Sequence, residues 1–112
     1  MRCTRDAAPL VQTAKALIAA NLDRNIAVRH LCRTMNCSPW FLCRAFRRVT
    51  GQTITGYRHA LRLRVAIERL RDPCADLTDL ALELGFSSHS HFTAVFRKHL
   101  GATPSEVRAG RK

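Results

Sequence analysis

The chain repeats itself. Leu42, Ala45, Phe46, Arg47, Arg48 and Gly51 recur fifty positions on as Phe92, Val95, Phe96, Arg97, Lys98 and Gly101. The register continues through Thr53, Thr55 and Arg58 against Thr103, Ser105 and Arg108. Upstream the offset is 49, with Leu31, Cys32, Met35 and Asn36 matching Leu80, Ala81, Leu84 and Gly85, so the second copy has a turn one residue longer. Self-similarity of this kind marks a supersecondary unit used twice. Each copy puts a small residue, Cys32 or Ala81, where two helices cross closely. Four residues later comes Asn36 or Gly85, types that tolerate positive φ. An apolar i, i+3, i+4 set follows. This is the pattern of a helix-turn-helix unit. A single copy is weakly specific, because any pair of hairpinned helices can show it; two copies, each with a basic pair, constrain the chain far more.

The remaining residues are patterned for helices as well. Leu10, Ala14, Leu17, Ile18 and Leu22 recur at helical spacing. Asn25 is the candidate cap of a second helix carrying Val28, Leu31, Cys32 and Met35. Ser38 and Pro39 suit the cap and first position of a third, with Leu42, Ala45, Phe46 and Val49 inward and Gly51 at its end. Thr53 or Thr55 can cap the longest helix, 55–71, whose buried side is expected to hold Tyr57, Ala60, Leu61, Ile67 and Leu70. Asp72-Pro73 ends it. Asp76 caps a fifth helix bearing Leu77, Leu80, Ala81 and Leu84. Ser87 or Ser88 caps a sixth with Phe92, Val95, Phe96 and Leu100 inward, and Thr103-Pro104 opens a seventh. No period-2 strand is found. The expected fold is all-α, seven helices forming two helix-turn-helix subdomains joined by a long central helix. Its parts are a flexible tail at 1–9, a first subdomain at 10–54, a linker helix at 55–71, a second subdomain at 72–108 and a basic tail at 109–112.

The net charge of +11 comes from sixteen Arg and three Lys against eight acids, and nine Arg but no acid lie between Arg24 and Ile67. Such a balance points to a polyanionic partner. Arginine's planar fork suits phosphate and guanine. Five cysteines, an odd number without a CxxC pair, do not make a disulfide framework or a structural zinc site. Cys32 and Cys37 read as core or turn residues, Cys3 and Cys74 as incidental, in a reducing, cytoplasmic compartment. No apolar run is long enough to span a membrane, and Met1–Pro9 lacks the apolar core of an export signal. No catalytic triad, carboxylate pair or glycine-rich phosphate loop is present, so neither an enzyme nor a cofactor is expected. His89 and His91 diverge at i, i+2 and have no Cys or carboxylate at ligand spacing, so no metal is expected.

The phrase Gly85-Phe86-Ser87-Ser88-His89-Ser90-His91-Phe92, then Phe96-Arg97-Lys98 and Gly101-Ala102-Thr103-Pro104-Ser105, resembles the AraC/XylS-type transcription regulators. The first copy agrees through Ser38-Pro39, Leu42, Arg44, Phe46 and Thr50-Gly51. The resemblance covers residues 10–108 and implies a seven-helix DNA-binding domain that binds promoters and controls transcription, with RNA polymerase as a partner. It also implies that the exposed face of the third helix reads bases. The matching positions are Trp40, Cys43, Arg44 and Arg47, and those of the sixth helix are His89, Ser90, His91 and Ala94. Two departures stand out. Ala94 falls where an Arg is common, which weakens reading by the second unit, and Val107 falls where an aromatic is usual.

The residues leave individual roles open. Arg44 lies outside the Leu42/Phe46 stripe and can read a base, touch phosphate or pair within its helix. Trp40 can pack on sugars or a thymine methyl, or be partly buried between lobes. Arg47, Arg48, Arg97 and Lys98 suit phosphate, and so do the backbone N–H groups that follow Ser38 and Ser88 at the helix starts. His91 is a candidate phosphate or base contact. B-DNA presents its major groove on one face about every 34 Å, and a 17-residue helix spans about 25 Å. One monomer is therefore expected to grip two successive groove segments of double-stranded promoter DNA, unless a regulatory domain outside these residues dimerises it. The rival reading is a basic module that binds an acidic partner protein. A basic membrane binder is disfavoured by the Gly and Pro punctuation, and RNA binding by the scarcity of exposed aromatics.

Overall fold

The computed structural model describes residues 7–110. It holds seven helices, α1 (Ala7–Ala20), α2 (Val28–Met35), α3 (Pro39–Thr50), α4 (Ile54–Arg69), α5 (Leu77–Glu83), α6 (His89–Leu100) and α7 (Pro104–Arg108). No strand occurs among the described residues, and no helix is long and apolar enough to cross a membrane. The chain forms two compact units. One comprises 7–21 and 25–58, the other 22–24 and 59–110.

The first unit is built from α1, α2, α3 and the start of α4. Val11, Ala14 and Ile18 of α1 meet Leu31 and Cys32 of α2 and Leu42, Ala45 and Phe46 of α3 in its core. Tyr57 closes the core edge-on against Phe46, ring centroids 5.3 Å apart, a favoured aromatic geometry. The turn between α2 and α3 rests on Asn36 at φ 56°. With Asn36 left-handed, the Cys37 N–H reaches back to the Cys32 carbonyl at 3.1 Å, the 6→1 bond of a Schellman cap. The Ser38 hydroxyl then accepts from the Phe41 N–H at 3.1 Å and starts α3, with Pro39 in its first turn. Arg58 donates to the Ile26 carbonyl at 2.6 Å, pinning the strap that enters α2. Burial lowers the pKa of this guanidinium from its ordinary value.

The second unit repeats the plan. Gly85 takes φ 92°, and the Phe86 N–H donates to the Ala81 carbonyl at 3.0 Å. Ser88 caps α6 by accepting from the His91 N–H at 3.0 Å. Phe86, Phe92 and Phe96 pack in series, centroids 5.2 and 5.7 Å apart, beneath Leu63, Ala66 and Leu70 of α4 and Leu80, Ala81 and Leu84. Asp76 caps α5 through the Thr78 and Asp79 N–H groups. Thr103 and Glu106 form a reciprocal capping box at α7. Arg108 donates to the Ala75 carbonyl. It is the repeat partner of Arg58, and Ala75 that of Ile26.

Arg62 is the buried charge of this unit, 1% exposed. Its Nε donates to the Leu22 carbonyl at 2.8 Å and its Nη2 to the Arg24 carbonyl at 3.1 Å. Its guanidinium lies over the Phe86 ring, 5.3 Å from the centroid. A cation can be buried when carbonyls satisfy its donors.

Several expectations are corrected. Ala7–Pro9 are helical rather than tail, because proline is tolerated in a first helical turn. Residues 1–6 and 111–112, parts of the expected tails, lie outside the described residues. In α1 the fully buried stripe is Val11, Ala14 and Ile18, while Leu10, Leu17 and Leu22 are half-buried. The second helix begins after Ala27, which has no capping side chain, so Asn25 is not its cap. Thr53, not Thr55, caps α4, accepting from the Gly56 N–H at 3.0 Å, and Ser88, not Ser87, caps α6. Within α4, Ile54, Arg62, Leu63, Ala66 and Leu70 are the buried residues, and Ile67 is exposed. Val49 and Leu100, expected inside, are exposed in the last turns of α3 and α6.

A Cβ on Gly85 would stand 2.5 Å from Arg62 Nη2 and 2.9 Å from the Asp23 carbonyl, whereas one on Gly51, at φ 79°, would meet nothing within 4 Å. Gly51→Ala should therefore cost only the left-handed penalty of about 1–2 kcal/mol. Gly85→Ala should cost that and the displacement of Arg62, lowering the melting temperature roughly twice as far. Arg62→Met leaves the Leu22 and Arg24 carbonyls unpaired and should cost about 2–4 kcal/mol. Thermal melts of the three variants check this; equal losses at Gly51 and Gly85 would mean that crowding around Gly85 is relieved cheaply.

Candidate nucleic-acid interface

Each unit offers one helix whose inner stripe is buried and whose outer face is open. In the first unit that helix is α3. Pro39 fixes its first turn, and burial of Leu42, Ala45 and Phe46 forces Trp40, Cys43, Arg44, Arg47 and Arg48 outward. Cys43, Arg44, Arg47, Arg48 and Thr53 line one shallow groove. Ser38 and Trp40 lie on a second, beside the turn, with Arg29 and Arg33 of α2. Trp40 is 69% exposed, so it is not a buried residue. The Arg44 guanidinium sits over its indole, 4.7 Å from the ring centroid. The contact formed in this structure is thus the within-helix pair at i, i+4, a cation–π stack. It presents a flat aromatic and a fork of donors side by side.

In the second unit the open helix is α6. Burial of Phe92, Val95 and Phe96 turns His89, Ser90, Ala94, Arg97 and Lys98 outward, where they line one shallow groove with Thr93. Ser88 stands at its start as the cap. His91 does not join this groove. Its ring is edge-on to Phe86 at 5.4 Å and to His59 at 6.0 Å, and its Nδ1 lies 3.3 Å from the Ser87 hydroxyl. Thr93 is the member that sequence reasoning missed. Its hydroxyl is buried without a hydrogen-bond partner, a costly state for a polar group. The helical step from His89 and Ser90, four and three residues earlier, was the available signal.

Known proteins with similar sequences and structures place the chain in a family. A helix-turn-helix domain family matches residues 31–110. The regulatory protein SoxS of Escherichia coli K12 is 33% identical over 99 residues, covering 88% of this chain and 92% of SoxS. A transcriptional regulator of the AraC type from Chromobacterium violaceum has a crystal structure that superposes with a TM-score of 0.84, at 29% identity over 96% of each chain. The chain belongs to the AraC/XylS-type transcription regulators. The right origin-binding protein of Escherichia coli K12 is also similar, 30% identical over 103 residues that make up 92% of this chain and 36% of that protein.

Within this AraC-type chain the two open faces differ. The face on α3 carries three arginines and an aromatic. That on α6 carries Arg97, Lys98, two small polar residues and a histidine, with Ala94 at the position where the resemblance led one to look for an Arg. Val107, the other departure, is half-buried against the second unit's core, which fits a packing role. Among the described residues no group of three His, Cys, Asp or Glu is arranged to hold a metal ion.

Both caps should matter locally. Ser38→Ala and Ser88→Ala each remove one bond to an orphan N–H and should cost about 1 kcal/mol. Each should also fray the first turn of its own helix, read as faster amide exchange at Phe41 or His91. Unchanged exchange in either variant would contradict the cap assignment.

Proposed function

We propose that this chain binds double-stranded promoter DNA sequence-specifically and regulates transcription initiation, with α3 and α6 as its reading helices. The observation that carries the proposal is the repeated cap-and-face arrangement. Ser38 and Ser88 start two helices whose inner stripes are buried and whose outer faces carry arginine and donors. The membership in a family of transcription regulators supports it, as does a relative named for binding an origin. The net charge of +11 supports it again.

In this reading Trp40, Cys43 and Arg44, and in the second unit His89, Ser90 and Ala94, meet base edges. Arg47, Arg48, Arg97 and Lys98, with the N–H groups behind Ser38 and Ser88, hold phosphates. Arg44 swings from the Trp40 ring onto a guanine, leaving the indole for a sugar or a thymine methyl. His91 contributes through the start of α6 rather than through the groove. Residues 10–54 and 72–108 form the two reading subdomains and 55–71 the linker. One monomer grips two successive major-groove segments and positions RNA polymerase, in the cytoplasm.

The test is a fluorescence-anisotropy titration on a cognate and a scrambled duplex at several salt concentrations. Arg44→Ala should weaken cognate binding by about ten- to a hundredfold, the worth of one bidentate base contact, and scrambled binding far less. Arg48→Ala should weaken both alike and reduce the salt slope by about one. An equal loss on both duplexes for Arg44→Ala would make it a phosphate ligand. Absence of salt-dependent binding to either duplex would overturn the proposal in favour of an acidic protein partner.

A further inference from the structure

We infer that Cys32 and Cys37 are an oxidisable dithiol built into the first helix-turn-helix turn, which a hydroperoxide closes to a disulfide that displaces the start of α3. The Cys37 N–H donates to the Cys32 carbonyl at 3.1 Å. In a Schellman cap the two residues joined by this 6→1 bond commonly bring their side chains into contact. Here that pair is two thiols, and Cys37 is one of the groups that shift the Cys32 thiol. The second copy of the turn has the same backbone bond between Phe86 and Ala81. The turn itself therefore needs no sulfur at either position.

The two thiols are unequally accessible, and this sets the order in which they react. Cys32 is buried. Burial first, and then the neighbouring Cys37 and Cys43 thiols, push its pKa up to about 11. Cys37 is half-buried and lines an open groove with Arg29 and Arg33, so a peroxide can reach its sulfur before that of Cys32. Cys37 is thus the attacking group and Cys32 the resolving one. The Cys37 thiolate attacks one peroxide oxygen, the O–O bond breaks, and the hydroxide that leaves takes up the thiol's proton to become water. The resulting sulfenic acid is attacked at sulfur by the Cys32 thiol. The S–S bond forms, the sulfenic oxygen departs with the Cys32 proton as a second water, and two thiols have lost two electrons to one peroxide.

Closure moves the reading helix. An S–S bond is about 2.05 Å long, much shorter than any hydrogen-bonded contact between thiols. Cys32 is fixed in the core, so the approach falls on Cys37, which directly precedes the cap Ser38. A disulfide across so short a loop gains little from chain entropy and is readily reduced again. The effect on DNA rests on the function proposed above; the disulfide itself does not.

The test treats the full chain with near-stoichiometric hydrogen peroxide, blocks remaining thiols, and maps them by peptide mass. Three readouts are expected. Cys32 and Cys37 are recovered joined, with two hydrogens lost. Emission of Trp40, the chain's single tryptophan, falls and is restored by a dithiol reductant. Cognate-duplex affinity drops about tenfold and recovers on reduction. Cys37→Ser, and Cys32→Ala with the residue of the second copy, should abolish all three. Recovery of Cys32 and Cys37 as blocked thiols while Cys43 or Cys74 is oxidised would overturn the dithiol. A mapped disulfide with unchanged Trp40 emission would overturn the displacement of α3. If the reduced chain binds no duplex, the proposed function fails, and the dithiol stands or falls on its mapped disulfide and on Trp40.

Discussion

One backbone hydrogen bond, made twice, sets where each candidate reading helix begins. It runs from Cys37 to Cys32 in the first unit and from Phe86 to Ala81 in the second. Neither can form unless the residue before the donor turns left-handed, and that residue is Asn36 in one copy and Gly85 in the other. The bond ends one helix, reverses the chain and delivers a serine cap to the next. Everything outward-facing on α3 and α6 follows from that placement, because the caps fix the helix phase and the buried stripes then choose the outer faces.

The second copy accepts a stricter residue than the first. At Gly85 the backbone passes beside Arg62, and a Cβ there would overlap the guanidinium and the Asp23 carbonyl, each closer than 3.0 Å. Asn36 carries a Cβ in the left-handed conformation, so the first turn has room for a side chain there. This difference explains why the two turns share a conformation and not a residue type. It also ties the glycine to a buried arginine whose donors are spent on two carbonyls of the Leu22–Arg24 segment.

Arginine shows what was legible in the sequence and what was not. The repeat exposed both turns, and local spacing and cap chemistry gave the Ser38 cap and the inner stripes, but left the second cap open between Ser87 and Ser88. The open faces carrying Arg44, Arg47, Arg48 and Arg97 followed from the same helical period. Charge alone could not say that Arg58, Arg62 and Arg108 are structural. Their carbonyl partners lie 32 to 40 residues away, and no local pattern encodes so distant a contact. The matched pair Arg58 and Arg108 was visible in the repeat, yet a repeated arginine reads equally well as a phosphate ligand. Val49 and Leu100 failed for the converse reason: their helical phase was right, but the core ends before the last turn of each helix. His91 sits one step off the α6 groove, a distinction that depends on where Phe86 lies.

The claim that one chain carries two reading helices can be decided by selection of the purified chain on a randomised duplex pool, followed by sequencing. Two short boxes separated by about one helical turn, roughly ten base pairs, are the predicted result, with the box read by α3 the sharper because Ala94 leaves α6 short of a donor. A single box, with no sequence preference one turn away from it, would contradict the claim and reduce the second unit to a grip on the DNA backbone.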